Sequence, residues 1–276
     1  MQIDEVNVRM ADFWPRREVG INEASHWIAR LSKHMLFRRY LFWKNKLNLP
    51  RNSKVIEVGC GYGKFSLLLG LIGEKTTLLD YNKEKISLAL KIHRCFNLEP
   101  QCEIGDLIDL SMKLNGQYDV VCSFGVLEHF SGKYRLLAFQ ASSRFLRPGG
   151  MLFFSVPNSS GLFYRLAFGL RKIFCKSKTF YEKAFSRSEL QSFVNNSGIK
   201  ALEIQGIDSL KNDWLYWGLG NIKSIIRKVL RKKIFAYKLD DLPLSALDFT
   251  GSNIKDTRNY LDKQFSSSLL FVGQKV

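Results

Sequence analysis

The chain has little of what holds small secreted or metal-stapled proteins together. Its five cysteines (Cys60, Cys95, Cys102, Cys122, Cys175) are odd in number, widely scattered and without a C-x-x-C pair. That excludes a disulfide framework and argues against a zinc site, so no metal is expected. No uninterrupted apolar run approaches the roughly 20 residues of a membrane-spanning helix. The opening stretch, "MQIDEVNVRMADFW", has acids where a secretory signal has a basic flank and an apolar core. A reducing cytoplasm is the expected compartment. There is no internal repeat and no low-complexity tract, and 46% hydrophobic with 24% charged residues excludes disorder and collagen-like structure. At 276 residues the chain holds one large domain, or one domain with a substantial insertion.

What is present is an uneven charge, +17 in total. Residues 54–157 are nearly balanced, with 12 basic and 10 acidic side chains. Residues 165–238 carry 16 basic against 5 acidic. The basicity therefore belongs to the region after the middle of the chain, and the two parts are expected to do different jobs.

Residues 22–47 read as one helix, capped by Asn22, with Trp27, Leu31, Met35 and Phe42 near one face and Pro50 ending the element. From 54 onward short apolar runs alternate with helical stretches. The runs at 54–59, 76–80, 102–106, 118–124 and 151–157 are strand-length and mostly apolar on both faces. Helices are expected at 64–72, 83–97 and 132–146, the last closed by "RPGG". Five strand–helix units in a row predict an α/β fold, a parallel sheet covered on both sides through right-handed crossovers. Beyond Pro157 the pattern gives helices at 162–175 and 187–197, a strand at 200–206, a helical insert near 212–236 and a last strand at 268–274.

In open α/β sheets the ligand lies outside the carboxyl ends of the strands. The first strand ends in "EVGCGYG", from Glu57 to Gly63, where glycines let backbone approach a ligand and turn into a helix. The spacing is G-x-G-x-G rather than the dinucleotide G-x-G-x-x-G, and no Gly-Lys-Ser/Thr follows, which excludes a P-loop. Asp80 ends the second strand, where a carboxylate can accept both hydroxyls of a ribose. Asp106 ends the third, placed to accept from an exocyclic amine such as that of adenine. The fourth ends in "CSFGVLEHF", a small apolar approach followed by Glu128 and His129.

These residues resemble the class I S-adenosylmethionine-dependent methyltransferases, closest to the small-molecule and quinone-type group with an "hhEhGCGxG" turn. The resemblance rests on "VIEVGCGYG", Asp80, "GD" at 105–106, "YDVVCSFGVLEH" and "FLRPGGMLFFSVPN". It covers 54–157 well, continues weakly through "YEKAFSRSELQSFVNNSGIKALEIQG" and says little of 1–45 or 208–265. It implies a Rossmann-like, mostly parallel seven-stranded sheet of order 3-2-1-4-5-7-6 with helices on both faces, the last strand antiparallel. Residues 1–50 would form a helical lid, 51–157 the cofactor-binding core, and 158–276 the rest of the sheet with helical insertions on the substrate side. It further implies that Glu57, Gly59, Cys60, Gly61 and Gly63 line the methionine half of S-adenosylmethionine. Asp80 would hold the ribose with Tyr81 packed on the adenine. Asp106 and Leu107 would contact the adenine, and Ser123 and Phe124 would close the sulfonium side.

Methyl transfer from a sulfonium needs no protonated leaving group, so the protein's work is alignment and exclusion of water. A base is needed where the acceptor is a weakly acidic hydroxyl or amine. His129 is the candidate, since an unperturbed imidazole titrates near pH 6.5; the alternative is that Glu128 and His129 begin or cap the next helix. His26 and His34 lie eight apart on the same expected helix, either facing the pocket or simply on its surface. Cys60 reads as a small residue in a turn.

Residues 219–236 place Ile222, Ile225, Ile226, Val229, Leu230 and Ile234 at helical spacing, with six basic side chains and no acid opposite them. Such a helix fits an anionic membrane surface, a basic RNA groove or a plain lid. The expected activity is methyl transfer to a small or amphiphilic acceptor, with peripheral contact to an anionic membrane and nucleic acid as the lesser partner. The rivals are an RNA methyltransferase and a non-catalytic S-adenosylmethionine-binding regulator.

Overall fold

The computed structural model describes residues 19–32, 34–162, 164–165, 182–207 and 266–276. The insert near 212–236, the basic segment at 219–236 and nearly all of the helix expected at 162–175 lie outside the described residues.

Among the described residues seven strands form one sheet. They are β1 (Lys54–Val58), β2 (Lys75–Asp80), β3 (Gln101–Ile104), β4 (Tyr118–Phe124), β5 (Leu146–Pro157), β6 (Ile199–Ile207) and β7 (Ser268–Lys275). Their order is β3-β2-β1-β4-β5-β7-β6. The first five pair in parallel, and β7 runs antiparallel between β5 and β6. This is the order and the strand sense expected from the resemblance. The central strands are buried on both faces, which is why they read as continuous Val/Ile/Leu/Phe runs rather than as alternating ones.

The helices are α1 (Ile21–Leu31), α2 (Met35–Lys46), α3 (Lys64–Leu71), α4 (Lys83–Arg94), α5 (Lys133–Phe145) and α6 (Arg187–Asn195). Two apolar clusters mark the two faces. One, beneath α5 and α6, gathers Ile56, Val121, Phe139, Phe154, Leu190 and Phe271. The other, beneath α1, α2 and α3, gathers Ile28, Phe37, Tyr40, Val55, Phe65, Cys122 and Phe153. Aromatic edges meet faces across each, as where Tyr40 packs on Phe65 and Phe153 at 5.8 Å.

Four expectations need correction. The helix read over 22–47 is two helices, broken at Ser32–His34. There His34 leaves helical geometry and its Nδ1 accepts from Leu36 N at 3.2 Å, an N-cap made by an imidazole. His26 and His34 therefore do not share a helix. Gly20, not Asn22, precedes α1, without a side-chain cap. The strand expected at 102–106 stops at Ile104, so Asp106 lies two residues beyond it. β5 starts at Leu146 rather than Met151, because Leu146 already pairs with Tyr118 and a register shift between Tyr118 and Val120 absorbs "RPGG".

The N-terminal helices are bound to this core by charge as well as by packing. Arg39 of α2 pairs with Glu203 of β6 and reaches Gln205 at 3.1 Å, while Trp43 Nε1 donates to Glu203. Lys44 pairs with the buried Glu74, whose other oxygen accepts from Ser53 N at 2.8 Å.

Candidate active site at the carboxyl edge of the sheet

The turn after β1 is built from alternating left-handed residues. Gly59, Gly61 and Gly63 have φ of 62°, 54° and 63°, a backbone that other residues adopt only under strain. The three have different neighbours. A Cβ on Gly59 would stand 2.4 Å from Val126 Cγ2, so the loop after β4 lies directly against this turn. A Cβ on Gly63 would stand 2.8 Å from His93 and 2.9 Å from Leu78. A Cβ on Gly61 would meet nothing within 4 Å, so here the turn faces open space. Cys60 fastens the turn through its N–H, which donates to Leu79 O at 3.0 Å. Its thiol is buried and pushed well above the usual range by that burial, which suits a small packing residue and not a nucleophile.

The carboxylates on this side are each held by backbone. Glu57 Oε2 accepts from Ser66 N at 2.8 Å and from Ser66 Oγ at 2.6 Å, tying β1 to the first turn of α3. Burial raises its carboxyl to about 7, with the Ser66 hydrogen bonds working against the rise and the charge of Asp80 adding to it. Asp80 Oδ2 accepts from Gly61 N at 3.0 Å and Oδ1 from Asn82 N at 2.9 Å. Its carboxyl is raised chiefly by burial, opposed by these same bonds. Asp106 Oδ1 accepts from Ile108 N at 2.7 Å, a local turn that starts the short 3₁₀ segment at Asp109–Ser111. Gly105 N donates to Asp80 O at 3.2 Å, which draws the ends of β2 and β3 together.

Each carboxylate oxygen keeps a second lone pair, so the Asp80 carboxylate can still accept from a vicinal diol. Tyr81 follows it with its side chain exposed, while Leu107 is buried in the core beneath α5. A contact from Leu107 to a ligand would then be made by its backbone. Above the turn, Trp27 of α1 lies 5.8 Å from the Tyr62 ring, with Lys64 over the indole at 4.1 Å and Lys85 over the phenol at 4.3 Å.

The other half of the edge is built differently. Ser123 and Phe124 end β4. Phe124 packs 4.5 Å from Phe65, whereas Ser123 Oγ is buried without a hydrogen-bond partner. Leu127–His129 form a 3₁₀ turn of their own and do not cap α5, which follows Gly132. His129 is half-buried. Glu128 is 4% exposed, and its Oε2 has no partner. Burial raises its carboxyl to about 8, opposed by a hydrogen bond from its own backbone N–H and by the charge of Arg135, with the charge of Glu182 adding to the rise.

The structure thus gathers the twelve expected residues at the carboxyl edge or in the loops leaving it. Sequence reasoning named Glu128 only as a helix cap. The available signal was a polar pair directly after an apolar strand. It also missed Ser66 as the partner of Glu57, nine residues away, and Arg135, whose partners lie 48–54 residues on.

The donor set fits S-adenosylmethionine. There is an acid at the end of β2 where a ribose would lie, an open glycine at Gly61 for close backbone approach, and a neutral serine and phenylalanine ending β4, with Ser123 paired beside Val58 of β1. Comparison with known proteins agrees. The chain is 25% identical over 166 residues to a ubiquinone biosynthesis O-methyltransferase of Xanthomonas axonopodis pv. citri, covering 57% of this chain and 67% of that one. It is 30% identical over 162 residues to the protein of the same name from Colwellia psychrerythraea, covering 56% and 63%. The chain thus spans about two thirds of the length of these relatives. Magnesium protoporphyrin IX methyltransferase from Synechocystis PCC 6803, solved with bound SAH, shares the fold with a TM-score of 0.59 at 13% identity, over 99% of this chain and 97% of that one. Residues 23–219 match the family described as a methyltransferase domain, and on that match the chain belongs to the class I S-adenosylmethionine-dependent methyltransferases.

Proposed function

We propose that this protein transfers a methyl group from S-adenosylmethionine to a hydroxyl of a small or amphiphilic acceptor. The observation that carries the reading is the junction at Asp80, where one carboxylate holds Gly61 and Asn82 while the adjoining turn opens at Gly61. The hydroxyl, rather than another acceptor atom, is suggested by the relatives, which are named O-methyltransferases.

When bound, S-adenosylmethionine supplies an electrophilic methyl group on a sulfonium. The chain's own residues bind and orient. In this reading Glu57, Gly59, Cys60, Gly61 and Gly63 line the methionine half. Asp80 accepts from the ribose hydroxyls beside Tyr81. Asp106 and the backbone of Leu107 meet the adenine, and Ser123 and Phe124 border the sulfonium. Phe124, Phe65 and Phe153 keep water from that side, which strengthens electrostatic alignment. The base expected from sequence, His129, is half-buried on the turn after β4, next to the buried Glu128.

Among the described residues no helix is long and apolar enough to cross a membrane. Peripheral contact with anionic lipid, through the basic segment at 219–236, belongs to this proposal and rests on sequence pattern alone. Sedimentation with anionic liposomes at low salt tests it. Tight single-stranded RNA binding with a steep salt dependence would favour the RNA rival instead.

The deciding experiment incubates cell extract with the protein and isotope-labelled S-adenosylmethionine, then seeks the species that gains the label by mass spectrometry. A labelled small hydroxyl compound supports the reading. S-adenosylhomocysteine binding without any turnover would make the chain a non-catalytic binder.

A further inference from the structure

Two polar side chains at the end of β4 are buried and lack partners. Ser123 is 3% and Glu128 4% exposed, and neither Ser123 Oγ nor Glu128 Oε2 has a hydrogen bond. Both lie on one side of the sheet. Val121 packs in the cluster beneath α5, and strand alternation gives Ser123 the same side, opposite Phe124. Glu128 sits against the first turn of α5 and the segment 182–185, with Lys183 N donating to its carbonyl at 3.0 Å.

The charges around Glu128 are committed elsewhere. Arg135 Nε and Nη2 donate to Glu189 at 2.8 and 3.1 Å. Its Nη1 donates to Lys183 O at 2.8 Å, and its guanidinium lies 3.6 Å above the Phe185 ring. Glu182, the other carboxylate acting on Glu128, accepts from the Tyr164 hydroxyl at 3.0 Å. A buried acceptor with no partner is destabilising, an ionised carboxylate far more so than an amide, and an apolar side chain of that size would leave nothing unpaired. Stability alone gives no reason for a glutamate here.

We infer, resting on the O-methyltransferase reading, that Glu128 is the catalytic base, its Oε2 taking the proton of the acceptor's hydroxyl. The O–H bond breaks with its proton going to the carboxylate. The oxygen's electron pair forms the bond to the methyl carbon, and the C–S bond breaks with its pair left on sulfur as a thioether. The carboxylic acid then returns its proton to solvent as the product leaves. His129, on the same turn and half-buried, becomes a neighbour rather than the base. The unpartnered oxygen is thus the acceptor's hydrogen-bonding place. The raised carboxyl suits a weakly acidic hydroxyl, since a stronger base takes such a proton more readily.

The test uses the whole protein with catechol as a simple phenolic probe. Infrared difference spectra with S-adenosylhomocysteine bound, followed to about pH 9, should show a protonated-carboxyl band that disappears near pH 8. Catechol should shift it, and E128Q should lack it. In methyl-transfer assays with S-adenosylmethionine, E128Q should lower kcat by roughly 10²–10⁴-fold and lose the acidic limb of the pH–rate profile. S-adenosylhomocysteine affinity should be unchanged, since Glu128 is placed against the acceptor and not the cofactor. His129→Asn should keep that limb, and Glu128→Asp should retain it at reduced rate, which serves if E128Q folds poorly. An acidic limb that survives in E128Q, or a carboxyl band indifferent to catechol, overturns the assignment. Loss of the limb in His129→Asn instead returns the role to that residue. If the wild-type chain fails to bind S-adenosylhomocysteine at all, the O-methyltransferase reading itself falls.

Discussion

The carboxyl edge of this sheet has two halves that treat polar groups in opposite ways. From β1 to β3 the carboxylates are held before any ligand arrives: Glu57 by Ser66, Asp80 by Gly61 and Asn82, Asp106 by Ile108. From β4 onward Ser123 Oγ and Glu128 Oε2 are buried and bonded to nothing. In the proposed reading the first half is pre-organised for the cofactor, so little ordering cost is left for binding. The second half is under-satisfied, as expected of a surface completed by its substrate. Burial raises the carboxyls in both, Glu57 to about 7 and Glu128 to about 8; Ser66 opposes the rise at Glu57 through its N–H and its hydroxyl, whereas Glu128 has only its own backbone N–H and leaves Oε2 unpaired.

That contrast can be broken at several points. The largest effect is expected from Glu128→Gln on stability. A carboxyl raised from 4.5 to about 8 on folding keeps its proton in the native state after the unfolded chain has lost its own. Its stabilising contribution is present below the unfolded value and is lost as pH rises towards 8. The amide has no such loss. Glu128→Gln should therefore gain about 3–4 kcal/mol relative to wild type between pH 5 and pH 9. Denaturant melts at the two pH values measure this, and a constant difference would mean that Glu128 is ionised in the folded protein.

The glycine turn sharpens the contrast next. Gly63→Ala adds a methyl group 2.8–2.9 Å from His93 and Leu78 in a left-handed backbone, and should cost about 3 kcal/mol of stability. Gly61→Ala carries only the backbone strain, about 1 kcal/mol, but places its methyl group in the open space of the turn. Its main loss should be S-adenosylhomocysteine affinity. Calorimetry and thermal melts on the pair separate the two roles, and equal losses of affinity would mean that the turn does not open onto the ligand.

Asp80→Ala should weaken S-adenosylhomocysteine binding by about 2 kcal/mol, through loss of charge-assisted acceptance and of the Gly61 and Asn82 contacts. An unchanged affinity would move the ribose elsewhere. The smallest effect is expected of Asp106→Ala, about 1 kcal/mol on the same measurement, since its bond from Ile108 N is local to its own loop.

Much of the cofactor half was legible in the sequence because its signals are local. Glycine spacing, acids at or near the ends of β1, β2 and β3, and strand-length apolar runs all sit within a few residues of what they determine. The break at Ser32–His34 was not legible, since the apolar face of Trp27, Leu31 and Met35 runs on through it and a histidine cap leaves no ordinary signature. Nor was the start of β5, where pairing of Leu146 with Tyr118 overrides the turn chemistry of Pro148, Gly149 and Gly150. The acceptor half depends on residues far apart in sequence. Arg135 is spent on Lys183, Ala184 and Glu189 and gives no hydrogen bond to Glu128 Oε2. Composition shows a Glu and an Arg seven positions apart, and nothing of which one the other has.

The junction at Asp80 has a further consequence for timing. One residue joins the β1 turn, the start of α4 and, through its carbonyl, the end of β3. Asn82 carries the connection onward by capping α4 through Glu84 N and Lys85 N. These contacts form when β2 takes its place in the sheet, so the cofactor-side turn is completed by folding itself and not by a later loop closure. In the proposed reading the cofactor then meets a turn whose backbone is already set. In the proposed reading, the polar groups that still wait for a partner, Ser123 Oγ and Glu128 Oε2, lie on the acceptor side.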